Sequence, residues 1–147
     1  MLLIINLHDI NINNILYNKS KENNIIKDSE FIKILYSNDI HSLNSIIINI
    51  NFNYLYISYK YNKVYFKFDT TKNIDIISKL VDLENNLLNL LNENNLQPLY
   101  NLKHFFLVKN VFSVNNQNNQ NNKKEVYLKI SGVWKNSKNY GLIFKFI

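Results

Sequence analysis

Two stretches of alternating apolar and polar residues close this chain, separated by five polar residues. They are Val126-Tyr-Leu-Lys-Ile-Ser-Gly-Val-Trp134 and Tyr140-Gly-Leu-Ile-Phe-Lys-Phe-Ile147, with Lys135-Asn-Ser-Lys-Asn139 between them. A period of two fits a strand and not a helix, so the pattern predicts a terminal hairpin. Both glycines of the protein, Gly132 and Gly141, and its one tryptophan, Trp134, lie within it. Gly132 inside a strand predicts a bulge or a close approach by another backbone. Gly141 beside Tyr140 predicts a kink that opens the last strand, and both devices help a sheet to curl.

The remaining elements are read from apolar spacing. Leu2 to Leu7 reads as a short strand and Ile10 to Asn24 as an Asn-rich loop. Ile25 to Tyr36 fits a strand or a short helix equally. Ile46 to Lys60 reads as one long strand and Lys63 to Asp69 as its partner, with Tyr61-Asn62 as a two-residue turn. Thr70-Thr71 offers an N-cap for a long helix over Lys72 to Asn95. Its apolar stripe is Ile74, Ile77, Leu80, Val81, Leu87, Leu88 and Leu91, which predicts burial of Ile77, Leu80, Leu87 and Leu88 against the sheet. Asp75, Asp82, Glu84, Asn85, Asn89 and Asn92 read as the solvated face, and Pro98 prevents continuation. Leu102 to Val114 reads as a strand, and Asn115 to Asn122 as a flexible Asn/Gln loop. The order predicts one α+β domain over 1–147: an antiparallel, OB-like curved sheet or small barrel, with one long helix between strands 3 and 4.

Composition narrows the chemistry. The chain has no Ala, Arg or Cys, and 30 of its 147 residues are Asn, as expected from a genome poor in G and C. Without cysteine there are no disulfides, no thiolate catalysis and no cysteine-held zinc, which fits a reducing compartment. Met1 to Leu7 is too short for a signal segment, and no stretch has the length to cross a bilayer, so a soluble intracellular protein is expected. His8, His41 and His104 stand apart at no metal-ligand spacing. Two glycines make no phosphate loop, and no nucleophile–base arrangement is visible. The reading is therefore non-catalytic, with no cofactor, no metal and no membrane.

Charge and face point to binding. Residues 1–95 hold nine lysines against ten carboxylates, net −1, whereas residues 96–147 hold eight lysines against Glu125 alone, net +7. A basic region favours a polyanionic partner, although codon bias alone also enriches Lys. Strand alternation places Val64, Phe66 and Phe68 on one face and Lys63, Tyr65 and Lys67 on the other. It likewise sets Tyr127 and Lys129 against Val126, Leu128 and Ile130, and Lys145 against Phe144 and Phe146. Tyrosine stacks on a base while a lysine ammonium meets the phosphate, which is what single-stranded nucleic acid requires. Trp134, Lys135 and Lys138 extend the candidate set at the hairpin turn, with Trp134 either a stacking platform or a core cap. Absence of Arg removes the bidentate guanine contact used in sequence-specific readout. The reading requires Lys63, Tyr65, Lys67, Tyr127, Lys129 and Lys145 to share one solvent-facing surface. If they lie on opposite faces, its rival takes over: a structural or assembly subunit of a virion or organellar complex. Homo-oligomerisation is left open.

Lys129-Ile-Ser-Gly-Val-Trp134 followed by Tyr140-Gly-Leu-Ile-Phe-Lys-Phe146 resembles a carboxy-terminal signature of small proteins of large nucleocytoplasmic DNA viruses. There, a segment like Lys-Ile-Ser-Gly-Ile-Trp precedes a turn and Tyr-Gly-Leu-Thr-Tyr-Lys-Phe. The resemblance covers about 20 residues well, Leu80 to Tyr100 faintly and the first 70 hardly at all. It implies an OB-type single-stranded DNA-binding protein of viral replication or recombination, acting in host cytoplasm or a viral factory. This chain departs at Ile143, where a polar Thr is expected, and in the Asn/Gln run at 115–122.

Overall fold

The computed structural model describes residues 4–22, 27–38, 40, 42–53, 55–115 and 125–147. The strands are β1 (Ile4–Asn6), β2 (Ile15–Tyr17), β3 (Lys21–Glu22), β4 (Glu30–Ser37), β5 (Ser42–Asn44), β6 (Ile46–Ile50), β7 (Leu55–Lys60), β8 (Lys63–Phe68), β9 (Gln97–Leu99), β10 (Val111–Asn115), β11 (Val126–Lys135) and β12 (Asn139–Phe146). The helices are α1 (Ile74–Leu91) and the short α2 (Asn101–His104), which runs on into a π-helical turn over Phe105–Lys109. An α+β architecture is what results, but not a barrel. Two open sheets form: a nine-stranded one built around β1-β6-β11-β12-β9 with β4 and its neighbours branching from β11, and a three-stranded one ordered β10-β8-β7. The large sheet is mixed, because β1 runs parallel to β6 and β9 parallel to β12. Neither the OB-like closure nor the helix between strands 3 and 4 is seen; α1 follows β8.

The terminal hairpin forms as expected from β11 and β12. Its register shifts between Ile130 and Gly132, and β11 changes neighbours there, pairing with β6 over Val126–Ile130 and with β4 over Gly132–Lys135. A Cβ at Gly132 would overlap the Ile32 carbonyl oxygen and press on Phe31. Bulge and close approach therefore occur at the same residue. Gly141 sits tight as well, its missing Cβ falling 3.0 Å from the Leu99 carbonyl oxygen and 3.1 Å from Trp134 Nε1.

Three expectations are corrected by contacts distant in sequence. The segment from Ile46 to Lys60 is two strands in two different sheets. The break is held by Asn73, whose side chain is buried and exchanges two 2.6 Å hydrogen bonds with the Asn53 backbone. Phe52, beside it, stacks on Phe68 at 4.8 Å. Residues 10–24 are not only loop, since β2 and β3 both pair with β4. Leu102 to Lys109 is helical rather than extended, burying Leu102 and Phe106 at helical spacing while Lys103, His104, Leu107 and Val108 face solvent. Of the expected Asn/Gln loop, residues 116–122 lie outside the described residues, as does His41.

Helix α1 is shorter than its apolar pattern. Asp69 Oδ1 accepts from the Thr71 and Lys72 amides and shapes a turn, so the helix starts after Asn73 rather than at Thr70-Thr71. It ends where Asn92 turns left-handed at φ 53°. Ile77, Leu80, Leu87 and Leu88 are buried as expected, joined by Leu83, while Ile74 is exposed. Leu87 is fully enclosed, so Leu87→Ala should destabilise the protein by about 2–5 kcal/mol. Urea denaturation followed by circular dichroism measures this; an unchanged midpoint would mean that the stripe carries no core packing.

Candidate nucleic-acid interface

The small sheet presents the candidate face. Tyr61 and Asn62 both take positive φ, 50° and 59°, the conformation of a two-residue type I′ turn. That turn fixes Lys60 opposite Lys63, Ser58 opposite Tyr65 and Tyr56 opposite Lys67. On the other side of β8, Ser113 lies opposite Tyr65 and Val111 opposite Lys67. Alternation then separates the two faces. Val64, Phe66 and Phe68 are buried, while Lys63 and Lys67 are exposed and Tyr65 is half-buried. The outward side of the sheet thus carries Tyr56, Ser58, Lys60, Lys63, Tyr65, Lys67, Val111 and Ser113, without a carboxylate.

This face is concave. A depression of about 480 Å³ is lined by Tyr56, Lys60, Tyr65 and Lys67, among others. A second depression shares Tyr56 and Lys67 and continues over the strand end to Asp69, Thr70 and Asn110, so that one carboxylate stands at the margin of the face. Tyr56 is 65% exposed, and at the hairpin tip the Lys60 ammonium sits 5.3 Å from the centre of the Tyr61 ring. Among the described residues no carboxylate pairs with Lys60, Lys63 or Lys67, whereas Lys135 on the large sheet is paired with Glu93 and Glu30.

The six residues expected to share one surface do not. Tyr127, Lys129 and Lys145 belong to the large sheet, with Lys129 directly opposite Lys145. The sheets meet through their inner faces, where Phe112 of β10 stacks on Phe146 of β12 at 4.3 Å. Lys63, Tyr65 and Lys67 therefore face one way, and Tyr127, Lys129 and Lys145 the other. Because the six side chains lie on opposite faces, the nucleic-acid reading that rests on all six fails and the assembly-subunit reading gains by it; what remains is the narrower grouping of Lys63, Tyr65 and Lys67 on the small sheet. The Tyr127 hydroxyl is also bound to the Glu125 carboxylate, which raises its pKa. Trp134 is half-buried against Gly141. Lys135 meets Glu93 at 2.9 Å and Glu30 at 3.6 Å, so its charge is compensated; the bond to Glu93 raises its pKa. Lys138 is exposed in the hairpin turn, on the large sheet's side.

Tyr56 and Lys60 were not among the sequence candidates. The signal was present, because a two-residue turn at Tyr61-Asn62 sets every pair by counting outward from it. His8 and His104 are exposed, and no three metal-ligating side chains cluster among the described residues. No protein-family model, curated protein or solved structure matches this chain.

One carboxylate departs from its expected place. Glu84 is fully buried rather than solvated. Its two oxygens accept from the Leu102 and Lys103 amides, each at 2.9 Å, and so cap the start of α2. Burial pushes its carboxyl above the usual range, and the amide bonds and the Lys103 charge pull it back only in part. Glu84→Gln keeps one acceptor and turns a donor toward an amide, which should destabilise by about 1–3 kcal/mol. A raised folded pKa adds stability at low pH that is lost as pH rises through it. The advantage of wild type over Glu84→Gln should accordingly grow on acidification, as read by denaturant midpoints along a pH series; a flat difference would contradict the burial argument.

Proposed function

We propose that this chain is a non-catalytic binder of single-stranded nucleic acid, DNA in the first instance, and that the outer face of β7, β8 and β10 is its site. The observation that carries the reading is the convergence of Tyr56 and Tyr65 with Lys60, Lys63 and Lys67 on one concave face without a carboxylate. The exposed Tyr56 ring and the half-buried Tyr65 ring offer stacking to any base, and flanking ammonium groups neutralise the backbone. The site is narrower than the sequence suggested. Its lysines come from residues 1–95, net −1, so the basic final third does not support it. The likeness of the terminal hairpin to viral single-stranded DNA-binding proteins supports a role in viral replication or recombination, without an OB-type barrel as its basis.

A second reading is favoured by separate observations. Ile74, Leu107 and Val108 are 61%, 71% and 64% exposed, and Ile74 and Leu107 line a hollow with Phe106, Thr70 and Thr71 that has no lysine. An apolar patch of that kind suits a protein neighbour. Together with the division of the six residues between two faces, it supports an assembly subunit.

Fluorescence anisotropy with labelled single strands separates the two. Affinity should fall with salt at a log–log slope near −0.7 per phosphate neutralised. Lys60→Gln with Lys67→Gln should flatten that slope by about 1–2 units. Tyr65→Ala should weaken binding by about 1–3 kcal/mol and leave the slope alone. Lys129→Gln with Lys145→Gln should change neither. Absence of single-strand binding at low salt would hand the function to the assembly reading.

A further inference from the structure

The margins of the two sheets are built differently. In the large sheet β1, β2, β5 and β9 have three residues each and β3 has two. β9 also carries Pro98, and β3 is Lys21-Glu22. Short, charged or proline-bearing edges are how proteins keep a sheet from pairing with further strands. β7 has little of this protection, its one charge being Lys60 at the hairpin end. It is six residues long, Leu-Tyr-Ile-Ser-Tyr-Lys, with no Pro, Gly or acidic residue and an unbroken register against β8. β8 is its one partner strand among the described residues. Tyr56, Ser58 and Lys60 are exposed, and Ile57 is half-buried.

The direction in which the Ile57 backbone points follows from the turn. Lys60 and Lys63 flank a two-residue turn and so form a hydrogen-bonded pair, as do Ser58 with Tyr65 and Tyr56 with Lys67. The backbone N–H and C=O of Ile57 then point away from β8. No described backbone group meets them.

We propose that β7 is the seam of a homodimer, in which it pairs antiparallel with β7 of a second copy about a two-fold axis at Ile57. The strand is complementary to itself in that register. Ile57 lies opposite Ile57 of the second copy and exchanges two backbone hydrogen bonds with it. Tyr56 lies opposite Ser58 of the second copy. Lys60, the one charge on the strand, falls at the two far ends, so no like charges meet. A two-fold contact needs only one such strand, and every copy supplies it. The two small sheets become one six-stranded sheet, and their Tyr/Lys faces lie side by side. The pairing requires no nucleic acid and is separable from the binding function.

Size-exclusion chromatography with light scattering, on the full chain without nucleic acid, tests it. At micromolar and higher concentrations the wild type should have twice the 17.5 kDa chain mass. Ser58→Lys places ammonium groups near one another across the axis while leaving each fold intact. It should halve the mass with an unchanged far-ultraviolet spectrum. Ser113→Lys, at an equally outward position on β10, should remain a dimer. A wild type that is monomeric throughout overturns the proposal. So does a dimer that survives Ser58→Lys, or one that Ser113→Lys dissolves.

Discussion

The stacking of phenylalanines between the two sheets decides where everything else points. Phe112 lies 4.3 Å from Phe146 and 5.1 Å from Phe66, while Phe68 meets Phe106 at 5.2 Å and Phe105 meets Phe146 at 4.9 Å. Four elements contribute: β8, β10, β12 and the π-helical turn. Each such pair adds roughly 0.5–1.5 kcal/mol beyond the area it buries. Because these rings occupy the inner faces of both sheets, the alternate residues of β8 and β7 must look outward. The Tyr/Lys face of the small sheet is the reverse side of the aromatic seam.

The parts of the fold that were legible rest on local rules. The terminal hairpin follows from a period of two, and the demand for glycine at 132 from a strand too crowded for a Cβ. The stripe of α1 follows from helical spacing, and the β7–β8 register from the Tyr61-Asn62 turn. What was illegible depends on partners far along the chain. The break between β6 and β7 is fixed by Asn73, 20 residues on. The helical turn at 101–109 begins under the carboxylate of Glu84, and the contiguous apolar run Phe105-Phe-Leu-Val108 gives no period to read. Alternation also tells which residues share a face of a strand, but not which sheet that strand joins. That is why Lys63, Tyr65 and Lys67 were correctly grouped with one another and wrongly grouped with Tyr127, Lys129 and Lys145.

Position, rather than net charge, is what locates the site. The final third holds the whole of the positive excess, yet Lys135 is bound to two glutamates, and Lys129 and Lys145 lie side by side on the large sheet. The small sheet draws its lysines from a stretch that is balanced overall and sets them on a strand face without a carboxylate, with Asp69 just past the end of β8. Under the proposed function, a short, concave, aromatic and basic patch would take a few nucleotides of an unpaired strand without reading sequence, in keeping with a chain that has no arginine.

The most direct measurement is a backbone amide NMR titration of the protein with a short single-stranded oligonucleotide. The expected result is a set of shifts centred on Tyr56, Ser58, Lys60, Lys63, Tyr65 and Lys67, with Tyr127, Lys129 and Lys145 unmoved. Shifts centred instead on β11 and β12, or none at all at low salt, would contradict the placement of the site on the small sheet.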